Sequence, residues 1–284
     1  MKTGGIISVI EFVTVVEAMT LMASLDILRL SAEGVLTAAA PSSGGLWSSV
    51  LMVSEYVLLI MVATSLITLV RHKRQLVIWL FGSFMIIMAF SVIFVLTVYY
   101  IGLYSIILAA SGAGYTWWII HNRKHSLVIP AVISIGVGAL WVTSEPFYFV
   151  LLFPVGLGLY DIYAVFRGPL KALVGKPTNP AVGTPIPSQQ EAKLPHEYSF
   201  IDVAATRIGG RYLGFGDTVI YSMMSAFAFI HFGLLPAVMT MIALNVGLVF
   251  TLTLLNKRGG PLPALPISVA LGFIVILAAW AGVL

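Results

Sequence analysis

The stretch from Leu76 to Ile120 carries no charged side chain. A helix crosses the apolar core of a bilayer with about 20 residues. This run is therefore long enough for two crossings and too long for one. The turn between them is placed near Tyr99-Tyr100-Ile101-Gly102. The same reading along the chain predicts nine spans, at 7–29, 47–70, 76–98, 101–120, 127–143, 147–167, 213–231, 234–255 and 263–283. Backbone in lipid has no water to bond with, so each span is helical. The expected fold is an all-α, polytopic membrane protein of nine transmembrane helices. Only 9% of the residues are charged, against about 25% in a soluble domain.

The basic residues set the orientation. With the N-terminus in the cytoplasm, 14 of the 15 Lys and Arg fall in inside segments, and only Arg29 falls outside. Such a bias fits the positive-inside rule and the odd span count, and it puts the C-terminus outside. It also accounts for the net charge of +4 without a nucleic-acid partner. The whole chain, 1–284, reads as one membrane domain. Spans one to six lie in 1–167, a loop follows at 168–212, and spans seven to nine lie in 213–284. Lys176 to Pro195 holds five prolines among Gly, Thr, Asn, Ser and Gln, so a flexible cytoplasmic linker is expected there. The N-terminal apolar run is interrupted by Glu11, Glu17 and Asp26, which does not suit a signal peptide. With no cysteine, disulfides and thiol chemistry are excluded. No metal site is read from the five histidines, and no cofactor is expected. No internal repeat is seen, which weakens a transporter built on inverted repeats.

Against this apolar background, two aspartates stand out. Asp161 is the only charge between Phe147 and Phe166, and after Asp217 no charge follows until Lys257. A carboxylate at membrane depth is costly and marks a functional site by default. Asp161 precedes Arg167 by six residues, and Asp217 follows Arg211 by six. At 1.5 Å per residue both lie about 9 Å below the same face. The two spans are consecutive and antiparallel, so the carboxylates can meet at one level, within reach of cytosolic water. Gly156, Gly158, Gly214 and Gly216 thin the two helices beside the acids, and small residues let membrane helices approach closely. Two carboxylates sharing one proton are equipped for acid–base hydrolysis. An interhelical hydrogen bond or a transporter's proton relay would use the same residues.

Three segments carry a resemblance. Tyr160-Asp161, Gly214-Phe215-Gly216-Asp217 and Pro263-Ala264-Leu265 resemble the YD, GxGD and PAL signatures of the presenilin and signal peptide peptidase family of intramembrane aspartyl proteases. They occur in the family's order, on the sixth, seventh and ninth spans. Pro266 and the pair Tyr221-Ser222 favour the presenilin branch, as does the orientation. Phe215 replaces the leucine common in the GLGD form. The short chain looks like a microbial, archaeal homologue, multi-pass in the cell membrane.

The resemblance implies that Asp161 and Asp217 form a catalytic dyad. Tyr160, Gly214, Phe215 and Gly216 would complete the active-site motifs. Pro263, Ala264 and Leu265 would form a substrate-binding wall. The implied reaction is water attack on a peptide carbonyl, with one ionised and one protonated aspartate. The partners would be a transmembrane helix of a substrate protein, the lipid bilayer and a possible second copy of the chain. Two alternatives use the same acids: a preflagellin or prepilin-type peptidase, and an ion channel or leak pathway. The PAL segment argues against the first.

Hydrolysis also requires a substrate helix to unwind, and freed backbone needs partners at membrane depth. Extended substrate is expected to pair with backbone near Pro263–Leu265 on one side and Arg207–Tyr212 on the other. Glu11, Glu17, Asp26, Glu55 and Asn245 could line a polar cavity. His231 reads as a span-end residue. Met223, Met224, Met239 and Met241 read as packing or lipid-facing.

Overall fold

The computed structural model describes residues 4–32, 45–69, 74–122, 126–167, 205–208, 211–258 and 263–284. The linker expected at Lys176–Pro195 lies outside the described residues. Nine helices are described: α1 (Gly4–Ala32), α2 (Leu46–Leu69), α3 (Arg74–Ile101), α4 (Tyr104–His121), α5 (Val128–Ser144), α6 (Phe147–Phe166), α7 (Phe215–Phe232), α8 (Leu234–Arg258) and α9 (Leu265–Trp280). Two strands, β1 (Ala205–Ile208) and β2 (Arg211–Gly214), precede α7. Five helices, α1, α2, α3, α6 and α8, are long and apolar enough to cross a membrane; α5 and α9 are apolar but shorter. The chain is thus a multi-pass helical membrane protein.

The breaks have local causes. Between α3 and α4 the chain turns at Gly102, whose φ of +55° is open to glycine and strained for most other residues. Between α5 and α6, Glu145 and Pro146 are both extended. Proline pushes the residue before it out of the helical region, which ends α5 there. Gly233, at φ +90°, closes α7 and lets α8 start at once.

The bundle is organised around α7. Eleven consecutive residues, Thr218 to Ala228, are buried. A helix covered on every side has no solvent or lipid face, and α7 packs against α1, α5, α6, α8 and α9. Close approach is steric in origin. A Cβ at Gly138 of α5 would lie 2.6 Å from Ser222 Cβ of α7. One at Gly247 of α8 would lie 2.4 Å from Ser268 Cα of α9. Such small-residue contacts let helices pack where lipid removes the hydrophobic drive. Polar pairs add to this inside the bundle. Ser134 and Thr218 share a hydrogen bond of 2.8 Å between α5 and α7.

An aromatic cluster fills the gap between α2, α5 and α6. Trp141 and Phe153 meet edge-on at 5.3 Å, and Tyr56 meets Phe149 at 5.3 Å. Each such pair contributes about 0.5–1.5 kcal/mol beyond its buried area. This cluster seats α6, the helix that carries Asp161.

Beyond the helices, the all-α expectation is supplemented by one antiparallel hairpin. Ala205 pairs with Gly214, Thr206 with Leu213, Arg207 with Tyr212, and Ile208 with Arg211. Ile208 and Leu213 are buried in the main core, and both strands touch α1. The strands fall at Arg207 and Tyr212, the segment expected to pair with extended substrate.

Candidate active site: Asp161 of α6 and Asp217 of α7

β2 runs straight into α7. Gly214 is both the last strand residue and the N-cap of the helix. Asp217 sits in the first turn of α7, where the helix macrodipole favours negative charge. Gly214 is required for space and not for its backbone angle, since its φ of −62° suits any residue. A Cβ there would lie 2.9 Å from Asp217 Oδ2. The glycine therefore leaves room for the carboxylate to fold back over the start of its own helix.

Asp161 lies one turn from the end of α6 and reaches α9. The Leu265 N–H donates to Asp161 Oδ2 at 3.1 Å, and the Ala264 amide interacts with the same carboxyl. Leu265 is the first residue of α9, so its N–H has no partner within the helix. In Pro263-Ala264-Leu265-Pro266, proline removes the amide hydrogen at both ends. The two residues that retain an N–H both act on Asp161. The carboxylate thus takes the place of the missing helical acceptor at the start of α9. Asp161 is also close enough to act electrostatically on Asp217. Both aspartates are partly buried.

The other motif residues divide. Tyr160 is buried, and its hydroxyl bonds Thr64 of α2, so it anchors α6 to α2. Phe215 packs on the α3–α5 side of the bundle, against the cluster of Met85, Ile133 and Val219. Gly158 faces α9, with a Cβ there 3.7 Å from Pro266 Cα. Gly156 faces α2 instead: a Cβ would lie 2.9 Å from Val53. Gly216 is exposed and has open space around it. The idea that all four glycines thin the helices beside the acids therefore holds for Gly158 only, while Gly214 makes room for the Asp217 side chain of its own helix. Gly156 serves α2 packing, and Gly216 meets no neighbour.

The remaining intramembrane acids also separate. Glu11, Asp26 and Glu55 are exposed. Glu17 is fully buried and accepts from Ser225 Oγ at 3.1 Å and Asn245 Nδ2 at 2.8 Å. These three residues tie α1, α7 and α8 together. Met223 and Met224 are buried in the core, and Met239 is exposed. Among the described residues, no three His, Cys, Asp or Glu group as metal ligands.

Sequence reading missed Ser225 and Ser268 as partners. The signal was present: Asp217, Tyr221 and Ser225 recur every four residues, which places a polar stripe on one face of an otherwise apolar helix. The hairpin had a signal too. Ala205–Ile208 and Arg211–Gly214 are separated by Gly209-Gly210, and a two-glycine spacer between short strands is a hairpin cue.

The fold and this site define a class: polytopic helical membrane proteins with a carboxylate pair between neighbouring helices. Residues 183–282 match the family model described as Presenilin. That match takes in the Asp217 and Pro263–Leu265 segments and stops short of Asp161. Over 161 residues the chain is 29% identical to Presenilin-B of Dictyostelium discoideum, covering 56% of this chain. The chain spans only about a third, 31%, of that relative's length. Two solved structures of a presenilin family intramembrane aspartate protease, in space groups P2 and C222, share the fold. Their TM-scores are 0.59 and 0.56, at 16% identity. Each alignment covers 95% of this chain, and 96% and 98% of the others. The family match and the relative show similarity to presenilins over part of the sequence, and the solved structures show a shared fold.

Proposed function

We propose that this protein is an intramembrane aspartyl protease of the cell membrane that hydrolyses peptide bonds within transmembrane segments. Asp161 and Asp217 act as its catalytic dyad. The observation that carries the reading is that the Asp161 carboxylate, held by the proline-flanked start of α9, lies close enough to act on Asp217 of the neighbouring helix α7. The fold shared with presenilin family intramembrane aspartate proteases supports it.

The chemistry follows from the surroundings of each acid. Asp161 is held by two backbone amides, those of Leu265 and Ala264, which suits it to carry the charge. Asp217 then holds the shared proton. A water between them gives a proton to Asp161 as its oxygen attacks the scissile carbonyl carbon. Asp217 hydrogen-bonds the carbonyl oxygen and stabilises the tetrahedral intermediate. Collapse breaks the C–N bond, and the departing nitrogen takes a proton from the dyad. The products are a carboxyl and an amine terminus, and the pair is again singly protonated.

The substrate is a transmembrane helix locally unwound. β1 and β2 make a two-stranded sheet, and β2 ends three residues before Asp217. An extended substrate segment adding to this hairpin would have its backbone satisfied right up to the dyad. With the N-terminus in the cytoplasm and the C-terminus outside, the dyad opens towards the cytosol.

The test is cleavage of a single-span peptide co-reconstituted with the protein in vesicles, with and without a transition-state-analogue inhibitor of aspartyl proteases. Inhibitor-sensitive product is expected. Ion flux without any product would favour the leak-pathway reading instead.

A further inference from the structure

We propose that Tyr221 and Ser268 form a positioning pair that holds the start of α9 so that the Leu265 amide reaches Asp161. The inference rests on the aspartyl-protease reading and adds two residues to it.

The geometry is a two-rung ladder. On α7, Asp217 and Tyr221 are four residues apart and share a face. On α9, Leu265 and Ser268 are three apart and share a face. The upper rung is the Tyr221 hydroxyl donating to Ser268 Oγ at 2.9 Å. The lower level is the dyad, with Leu265 N–H on Asp161. Tyr221 and Ser268 are both fully buried, so neither hydroxyl has water as an alternative partner.

The start of α9 needs such a hold. The first four N–H groups of a helix lack internal acceptors, and Pro266 supplies none. The N–H side of the segment that delivers the Leu265 amide is therefore not held by helical bonds. Ser268 is one turn further in, where α9 is pressed on α8. A Cβ at Gly247 would lie 2.4 Å from Ser268 Cα and 3.0 Å from its Oγ. Gly247 admits the serine, and Tyr221 then fixes it from α7. Because α7 also carries Asp217, one bond ties the helix bearing Asp217 to the helix that orients Asp161. Misplacing a catalytic group by about 1 Å can cost about 100-fold in rate.

The test uses the full chain in vesicles, with Y221F, S268A and the double variant. Two quantities are read: kcat and KM for a single-span substrate, and hydrogen exchange at the 15N-labelled Leu265 amide. Each single variant is expected to lose about 10-fold or more in kcat with KM within about twofold, because substrate binding is left intact. The double variant should be no worse than the poorer single one, since a pair is lost only once. Leu265 exchange should quicken in all three. Wild-type kcat in Y221F with unchanged Leu265 exchange overturns the proposal, as do single losses that multiply in the double variant. If Y221F lowers helicity or thermal stability sharply, S268A, which deletes one oxygen, decides by the same criteria. If the wild-type protein cleaves nothing, the protease reading fails, and Leu265 exchange alone decides whether the pair holds α9.

Discussion

At the scale of single residues, the site depends on where glycine is and where it is not needed. Gly214→Ala puts a methyl 2.9 Å from Asp217 Oδ2, and the carboxylate is the part free to move. The expected outcome is a folded protein whose kcat falls about 100-fold, in line with the cost of a displaced catalytic group. Gly216→Ala meets nothing within 4 Å and replaces a helical glycine, so it should melt at or slightly above the wild-type temperature. Circular dichroism melts beside a cleavage assay separate the two. Glu17 tests a different point. Leucine there leaves Ser225 Oγ and one Asn245 N–H without an acceptor, at a cost of about 1–3 kcal/mol. Asn245 Oδ1 is already buried without a partner. Glutamine at position 17 could donate to it, so Glu17→Gln should unfold at a higher temperature than Glu17→Leu. Equal melting of the two variants would show that the buried triad of α1, α7 and α8 contributes nothing. The two aspartates were legible in the sequence because a charge amid uncharged residues is conspicuous. Ser225 and Ser268 were not singled out, because serine is common in membrane helices and its partner is chosen by packing.

At the scale of elements, the helices were legible almost to their ends. The expected span 147–167 is observed as Phe147–Phe166, and 234–255 as Leu234–Arg258. Continuous apolar runs punctuated by Glu145-Pro146 and Gly233 leave little freedom. The hairpin was less legible, because two four-residue strands give too short an alternation to stand out beside a proline-rich segment. Its backbone is fixed by register and by burial of Ile208 and Leu213, both tertiary effects. The α8–α9 contact yields a prediction at this scale. Gly247→Ala drives a methyl into Ser268 backbone at 2.4 Å, which no rotamer can relieve. Overpacking of this kind costs about 1–3 kcal/mol. Because α9 orients Asp161, turnover should fall as well as melting temperature. A Gly247→Ala protein as stable and active as the wild type would show that α8 and α9 slide freely there.

At the scale of the whole molecule, a buried central helix carries one aspartate, and the helices around it present the other. α7 is enclosed by five neighbours, and the hairpin leads extended backbone into its first turn. A substrate that joins this hairpin must leave its helix first. Substrates with glycine near the cut should then be cleaved several-fold faster than leucine-rich ones, since each glycine weakens a helix by about 1 kcal/mol relative to alanine. Competition between two peptides differing only there reads this as a ratio of products. The central claim is that two carboxylates act as one unit, and it is tested most directly by turnover of the reconstituted wild-type, Asp161→Asn and Asp217→Asn proteins on the same single-span substrate. Asparagine keeps the shape of each side chain and removes the group that titrates. The account predicts folded, inserted proteins in which either change alone abolishes cleavage, because members of a catalytic unit are not additive. Substantial turnover by either single variant would contradict it.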